Sequence, residues 1–247
     1  LTWETSQQYN VGLDMAMFNN RLEFTAEAYI RDTKDMLTDG DALPGVFGAD
    51  PPKANSADLR TKGYELSLSW RDQFDLGGHP FGYSVRASLS DFRSHITKFD
   101  NPTKTFGKSY YEGMRIGDIW GFVVDGLFAT DEEAQAYTTG WIQNNGVRHE
   151  AILDCSYIDG RMTGGFLAGD LRFVDLDGDG VLGIGANTVD DPGDRKILGN
   201  SLPSLQYGFT LAFDYLGFDV SAFFQGTGNH YWYPHGFNMN FWGAYSY

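Results

Sequence analysis

From Tyr9 to Met17 every second residue is apolar: Tyr9, Val11, Leu13, Met15 and Met17, interleaved with Asn10, Gly12, Asp14 and Ala16. A period of two is the signature of a strand with one apolar face, and it restricts the chain to a sheet. Phe18-Asn19-Asn20-Arg21 reads as a tight turn, after which Leu22, Phe24, Ala26, Ala28 and Ile30 alternate with Glu23, Thr25, Glu27, Tyr29 and Arg31. The two runs predict a hairpin. The pattern recurs as Tyr64, Leu66, Leu68, Trp70 followed by Phe81, Tyr83, Val85, Ala87, Leu89. It returns as Leu205, Tyr207, Phe209, Leu211, Phe213, Tyr215, turning at Leu216-Gly217 into Phe218, Val220, Ala222, Phe224.

Each run spans about nine to eleven residues, the length a tilted strand needs to cross a bilayer, where strands of soluble domains run about five or six. Alternation also suits a soluble sandwich, so connection lengths discriminate further. The turns at 18–21, 71–80 and 216–217 are short, and the connections at 34–59, 95–204 and from 228 onward are long and polar. Outer-membrane barrels have this asymmetry, with short turns in the periplasm and long loops outside. Phe18, Trp70, Phe81, Tyr215 and Phe218 lie near the short-turn ends, where an aromatic girdle meets the membrane interface.

Composition agrees. Aromatics make up 16% of 247 residues and there are 31 glycines, which suits long strands with many turns. No apolar run is long enough for a transmembrane helix, and a mean hydropathy of −0.35 is compatible with a barrel, in which only alternate residues meet lipid. The balance of 18 basic against 33 acidic residues argues against a nucleic-acid partner, which requires clustered cations. Cys155 is the sole cysteine and has no metal-ligand spacing. His79, His95, His149, His230 and His235 are dispersed without a triad partner at motif spacing, so nothing supports catalysis.

Asp175-Leu176-Asp177-Gly178-Asp179-Gly180-Val181 places carboxylates at positions 1, 3 and 5 of an EF-hand-like loop, glycine at 6 and a backbone carbonyl at 7. This donor set predicts calcium on Asp175, Asp177, Asp179, the Val181 carbonyl and Asp190. Position 12 is Ala186, so Asp190, Asp191 and Asp194 are the candidates to replace the usual bidentate glutamate. Seven aspartates and one basic residue, Arg172, lie between 170 and 194, a crowding that a cation relieves. An acidic solvated turn or an Asx turn is the alternative. The Gly178-x-Gly180-x-x-Gly183 spacing is not a dinucleotide site, because the aspartates repel a pyrophosphate and no apolar helix follows. Asp131-Glu132-Glu133-Ala134-Gln135-Ala136-Tyr137 predicts a short helix. Tyr110, Tyr111, Trp120, Trp141, Trp232 and Tyr233 are candidates for stacking on sugars or peptide side chains, with packing inside the loops as the alternative.

Several stretches resemble the late barrel of SusC/RagA-type TonB-linked outer-membrane transporters. They are Leu1-Thr2-Trp3-Glu4-Thr5-Ser6, Asn10 to Asp14, Tyr29 to Leu37, Thr61 to Leu66, Ile116 to Phe122, Asp125 to Phe128, Gly169 to Asp175, and Ile197 to Pro203 leading into Tyr207-Gly208-Phe209. They occur in family order along nearly the whole chain. The resemblance implies an all-β fold: an antiparallel transmembrane β-barrel segment with long extracellular loops, part of a larger plugged barrel. Residues 1–94 are expected to form two hairpins and 95–204 a long extracellular insertion with the acidic calcium-like loop. Residues 205–227 form another hairpin, and 228–247 begin an external loop. The chain is expected to be a fragment, ending inside that loop at Phe241 to Tyr247.

The implied function is TonB-dependent import of glycans or peptides across the bacterial outer membrane. The implied partners are a SusD-like surface lipoprotein, TonB acting through an N-terminal plug, outer-membrane lipid, and an oligosaccharide or peptide substrate. The implied barrel has a polar interior, to which Glu23, Glu27, Arg31, Glu65 and Arg86 are assigned. A soluble calcium-stabilised β-sandwich binding carbohydrate, and a structural barrel without TonB coupling, are the competing readings.

Overall fold

A computed structural model describes residues 1–39, 48, 52–137, 153–155 and 166–233. Trp141, His149, His235 and the 241–247 segment lie outside the described residues. Two compact units are present: residues 1–100, 111–118 and 199–247 form one, and residues 101–110 and 119–198 the other.

The first unit is a six-stranded antiparallel sheet. Its strands are β1 (Thr5–Met17), β2 (Leu22–Asp39), β3 (Lys53–Leu76), β4 (His79–Lys98), β9 (Gln206–Tyr215) and β10 (Phe218–Thr227), in the spatial order β1-β2-β3-β4-β9-β10. All neighbours are antiparallel. The second unit holds β6 (Val124–Leu127), β7 (Leu171–Phe173) and the helix α1 (Asp131–Tyr137), with most of β5 (Asp118–Phe122) and β8 (Arg195–Asn200). β5 pairs with β8, and β6 with β7.

The strands outrun the sequence pattern. The 71–80 connection is mostly ladder: Phe74 faces Phe81 and Leu76 faces His79, leaving Gly77-Gly78 as the turn. Both glycines have positive φ, 64° and 84°, as a two-residue hairpin turn with the twist of its strands requires. Likewise β2 and β3 continue through much of 34–59. They bend at a bulge where Asp35 adopts φ 57° and its N–H donates to Asp58 Oδ1 at 3.0 Å. Where β9 stops pairing with β4 at Ser90, residues 113–116 take over the same edge: His95 bridges Arg115, and the Ile116 N–H donates to the Ser94 carbonyl at 2.9 Å.

The registers put each alternation in phase with its neighbours. On one face Met15, Phe24, Leu68, Ala87, Phe209 and Phe224 follow one another across all six strands. A soluble sandwich buries such a face under a second sheet. Here it stays open, with Val11 78% and Phe218 73% exposed.

Aromatic rings bound this face at both ends. At the short-turn end Phe18 lies 6.1 Å from Trp70, Trp70 Nε1 donates to Tyr83 Oη at 3.1 Å, and Phe81 stacks on Phe213 at 5.9 Å. At the other end stand Tyr9, Tyr64 and Tyr207, a second ring that emerges only once the registers are known. Tyr215 and Tyr207 are eight residues apart on β9, about 27 Å along the strand, which a barrel tilt of about 35–45° projects to roughly 19–22 Å, comparable to the ~25 Å height of a lipid-facing band.

This geometry predicts a face-dependent cost at one depth. Leu211→Arg, at mid-band, should destabilise the intact barrel by about 2–4 kcal/mol, and Thr210→Arg on the opposite face by much less. Denaturant titration of the refolded barrel in lipid vesicles measures both.

Candidate functional site: the inward face and the acidic loop

The opposite face of the sheet is polar. By register Glu23, Glu27, Arg31, Glu65 and Arg86 share it, as the sequence implies. Neighbouring strands satisfy one another here: Asn10 Nδ2 donates to Glu27 Oε1 at 2.8 Å, Thr25 Oγ1 to Asp14 Oδ1 at 2.8 Å, and Arg71 to Glu23. Thr61 and Ser94 hydroxyls share a buried hydrogen bond of 2.8 Å. The Tyr29 ring occupies the space beside Gly63, where a Cβ would approach it to 2.5 Å. Glu27 and Glu65 stand directly opposite each other, as do Asp214 and Asp219. Like charges at such positions are costly unless water or a counter-charge screens them, so this face is built for a wet or polar-filled interior.

The second unit is organised by a core of Phe128, Ala134, Leu153, Cys155, Phe166 and Leu182, with Phe122, Tyr137 and Phe173 packed against it. The lone cysteine is thus a packing residue. Helix α1 forms where expected. The Thr130 hydroxyl accepts the Glu133 N–H at 3.2 Å while Glu133 reaches back to the Ala129 N–H at 2.8 Å, a variant of the capping box. Arg172 joins the helix to β6 by pairing Glu133 at 2.9 Å and Asp125 at 2.7 Å. Burial, reinforced by the charge of Asp125, pushes the Tyr137 hydroxyl up, which keeps it a donor to the Phe173 carbonyl at 2.9 Å.

The acidic loop hangs from this core. Asp175 closes its first turn by accepting the Gly178 N–H at 2.6 Å and the Gly180 N–H at 2.9 Å. Gly178 and Gly180, both at φ 80°, make that curl possible. Asp154 and Val181 form a parallel bridge, which lays the loop beside residues 153–155 and buries Leu182. Asp194 is fully buried and accepts the Leu176 N–H at 2.6 Å and the Gly183 N–H at 2.8 Å, so one carboxylate ties the two ends of the loop together.

Asp175, Asp177 and Asp194 bring carboxylate oxygens within 4.8 Å of one another. Two oxygens on one calcium, each at about 2.3–2.6 Å, lie no more than about 5 Å apart, so this trio fits the ion. Of the residues expected to be ligands, Asp175 and Asp177 belong to the trio. Asp179 is outside it, exposed, and accepts the Val181 N–H at 2.7 Å; Asp190 is exposed and also outside it. Val181 sits at the bridge to Asp154, four residues past Asp177. Asp194 was one of three alternatives by position, and only tertiary packing singles it out. At Asp177 the Asp179 N–H pulls the pKa down, but burial and the charges of Asp179, Asp194 and Asp175 outweigh it, and the net shift is upward. A raised carboxylate is the signature of crowding that protons or a cation relieve.

The candidate stacking residues divide. Trp120 packs on Phe106 at 4.9 Å, with the Arg195 guanidinium 4.8 Å over the Phe106 ring, and Tyr111 is buried. Trp232 and Tyr233 are exposed.

With this geometry in place, comparison with known proteins defines the class. Residues 1–247 match the family described as TonB dependent receptor-like, beta-barrel. The chain belongs to the TonB-dependent receptor family and supplies part of its outer-membrane β-barrel. It is 27% identical over 239 residues to TonB-dependent receptor P3 of Formosa agariphila, covering 92% of this chain and 20% of that protein. Against TonB-dependent receptor P39 of the same organism it is 26% identical over 242 residues, covering 91% and 22%. Among solved structures it resembles the RagAB peptide importer in its 'open-open' state, with a TM-score of 0.60, 20% identity, and coverage of 93% of this chain and 21% of that one. It also resembles the RagAB peptide transporter, with a TM-score of 0.56, 20% identity and coverage of 91% and 21%. The chain therefore spans about a fifth of the length of its relatives, and the open six-stranded sheet is one arc of their barrel.

If Asp194 holds the loop closed, Asp194→Ala should strand two buried N–H groups and destabilise the second unit by about 2–5 kcal/mol, whereas Asp179→Ala at the surface should stay within about 1 kcal/mol. Hydrogen exchange over residues 171–200 distinguishes the two variants.

Proposed function

We propose that the full-length protein imports a nutrient across the bacterial outer membrane, driven by TonB and assisted by a SusD-like surface lipoprotein. The observation that carries this reading is a girdled, lipid-facing sheet that matches the TonB-dependent receptor barrel along its whole length. The family is one of receptors and transporters, and import needs no catalytic group in this chain. The polar inward face suits passage beside or around a plug. Peptides and glycans are the substrate classes favoured. The likeness to the RagAB peptide transporter supports a peptide, and the exposed Trp232 and Tyr233 offer flat surfaces to either substrate.

The test is growth of the source organism on defined peptide mixtures or oligosaccharides after deletion of the gene, with complementation by a version lacking its TonB-engaging segment. The account expects a growth defect on one substrate class that the truncated version does not rescue. Equal growth on every substrate, or full rescue by the truncated version, would contradict it.

The same reading includes a structural calcium ion on Asp175, Asp177 and Asp194, with the Val181 carbonyl available to it. The ion neutralises the crowded carboxylates and braces the external insertion without taking part in chemistry. Removing divalent cations with a chelator should accelerate proteolytic cleavage between 171 and 200 in the intact receptor, and calcium should reverse the effect. Asp177→Asn should weaken the reversal. No saturable calcium effect on cleavage would dismiss the ion.

A further inference from the structure

Above the tyrosine ring, on the side of the long connections, the lipid-facing side of the sheet turns abruptly cationic. Lys62 follows Tyr64 on that face of β3 and stands directly opposite Arg93 of β4. One step further out Arg60 faces His95, and His95 in turn bridges Arg115. Four permanent cations thus occupy two adjacent rows of three neighbouring segments, in a chain whose net charge is −15.

The anions on this patch are too few. Asp32 holds Arg60 in a bidentate pair at 2.6 and 2.9 Å. Asp91 lies 3.9 Å from Arg93 and also accepts the Leu205 N–H at 3.2 Å. Lys62 and Arg115 have no ion-pair partner among the described residues. The side chains are open to an external anion: Arg60 is 48% exposed and Arg93 63%. Two cations directly opposite one another repel unless an anion sits between them. At the short-turn end of the same face no such surplus occurs, since Arg21 and Asp72 pair at 3.1 Å.

Height and charge together identify the occupant. Directly below the cations the same face presents Tyr64 and Leu66, with Ile30 beside Lys62, an apolar surface for an acyl chain. A ligand that places negative charge at this level and hydrocarbon beneath it is an anionic lipid of the outer leaflet. We propose that Lys62, Arg93, Arg60 and Arg115 form a docking site for phosphate-bearing anionic lipid headgroups, packed against the Tyr64 end of the hydrophobic band. This rests on the outer-membrane reading of the barrel. The site would fix the depth and rotation of this barrel sector in the outer leaflet.

The full-length receptor, purified in a neutral detergent, is titrated with short-chain phosphatidylglycerol or with phosphatidylcholine and read by native mass spectrometry. Saturable binding selective for phosphatidylglycerol is expected. Each cation removed should weaken it about fivefold, in Lys62→Gln alone and further in Lys62→Gln with Arg93→Gln. Lys62 is exposed and has no ion-pair partner among the described residues, so the single variant should keep its fold, as heat-modifiable gel mobility verifies. Inorganic phosphate should not compete at equal concentration. Equal binding of both lipids, unchanged affinity in the variants, or equal competition by inorganic phosphate would each overturn the site while leaving the barrel assignment intact. A receptor that fails to insert into bilayers at all would overturn both.

Discussion

Backbone hydrogen bonding in a medium without water is the constraint on which the rest of this structure depends. Every N–H and C=O at membrane depth must find a partner in a neighbouring strand, at a penalty of several kcal/mol for each that does not. The continuous ladders from β1 to β10 meet that demand across six strands. Among the described residues the outer edges of β1 and β10 have no pairing strand, and the chain covers about a fifth of the relatives it matches. Register then follows from face. A slip of one residue would carry Glu65 and Arg86 into lipid and turn Leu66 and Leu89 inward, so the two-sided pattern and the long-range pairing of β4 with β9 specify one another.

Much of this was legible in the sequence because the period of two is imposed residue by residue. The hairpins at 18–21 and 216–217, the shared inward face of Glu23, Glu27, Arg31, Glu65 and Arg86, and the girdle at Trp70, Phe81 and Tyr215 all follow from local pattern. The 71–80 connection reads as a turn because Asp72, Gln73 and Asp75 are polar, although Phe74 keeps the outward phase and Gly77-Gly78 marks the real corner. The ladders extending through 34–59 escape the pattern for a similar reason: polar residues such as Lys34, Asp35, Asn55, Ser56 and Asp58 fill consecutive positions, and the alternation that betrays a strand disappears. The second tyrosine ring and the cationic rows above it depend on pairing between strands, which no single run discloses.

The acidic loop shows the same division. Asp175 and Asp177, with Gly178 and Gly180, are set by local spacing, and the loop curls where that spacing predicts. Asp194 joins them only through tertiary folding. It arrives from beyond the 183–193 turn, and its burial comes from the ends of the loop that it ties together. Spacing alone ranked it with Asp190 and Asp191, and Asp190 stays outside the trio.

The central claim is that one face of this sheet meets lipid and the other a polar interior. It is tested most directly by nitroxide scanning of residues 206–215 in the bilayer-embedded receptor, comparing collision with oxygen and with a water-soluble nickel reagent. The account predicts strict alternation: 207, 209, 211, 213 and 215 favour oxygen, and the residues between them favour nickel. Accessibility without a period of two, or nickel access on both faces, would contradict it.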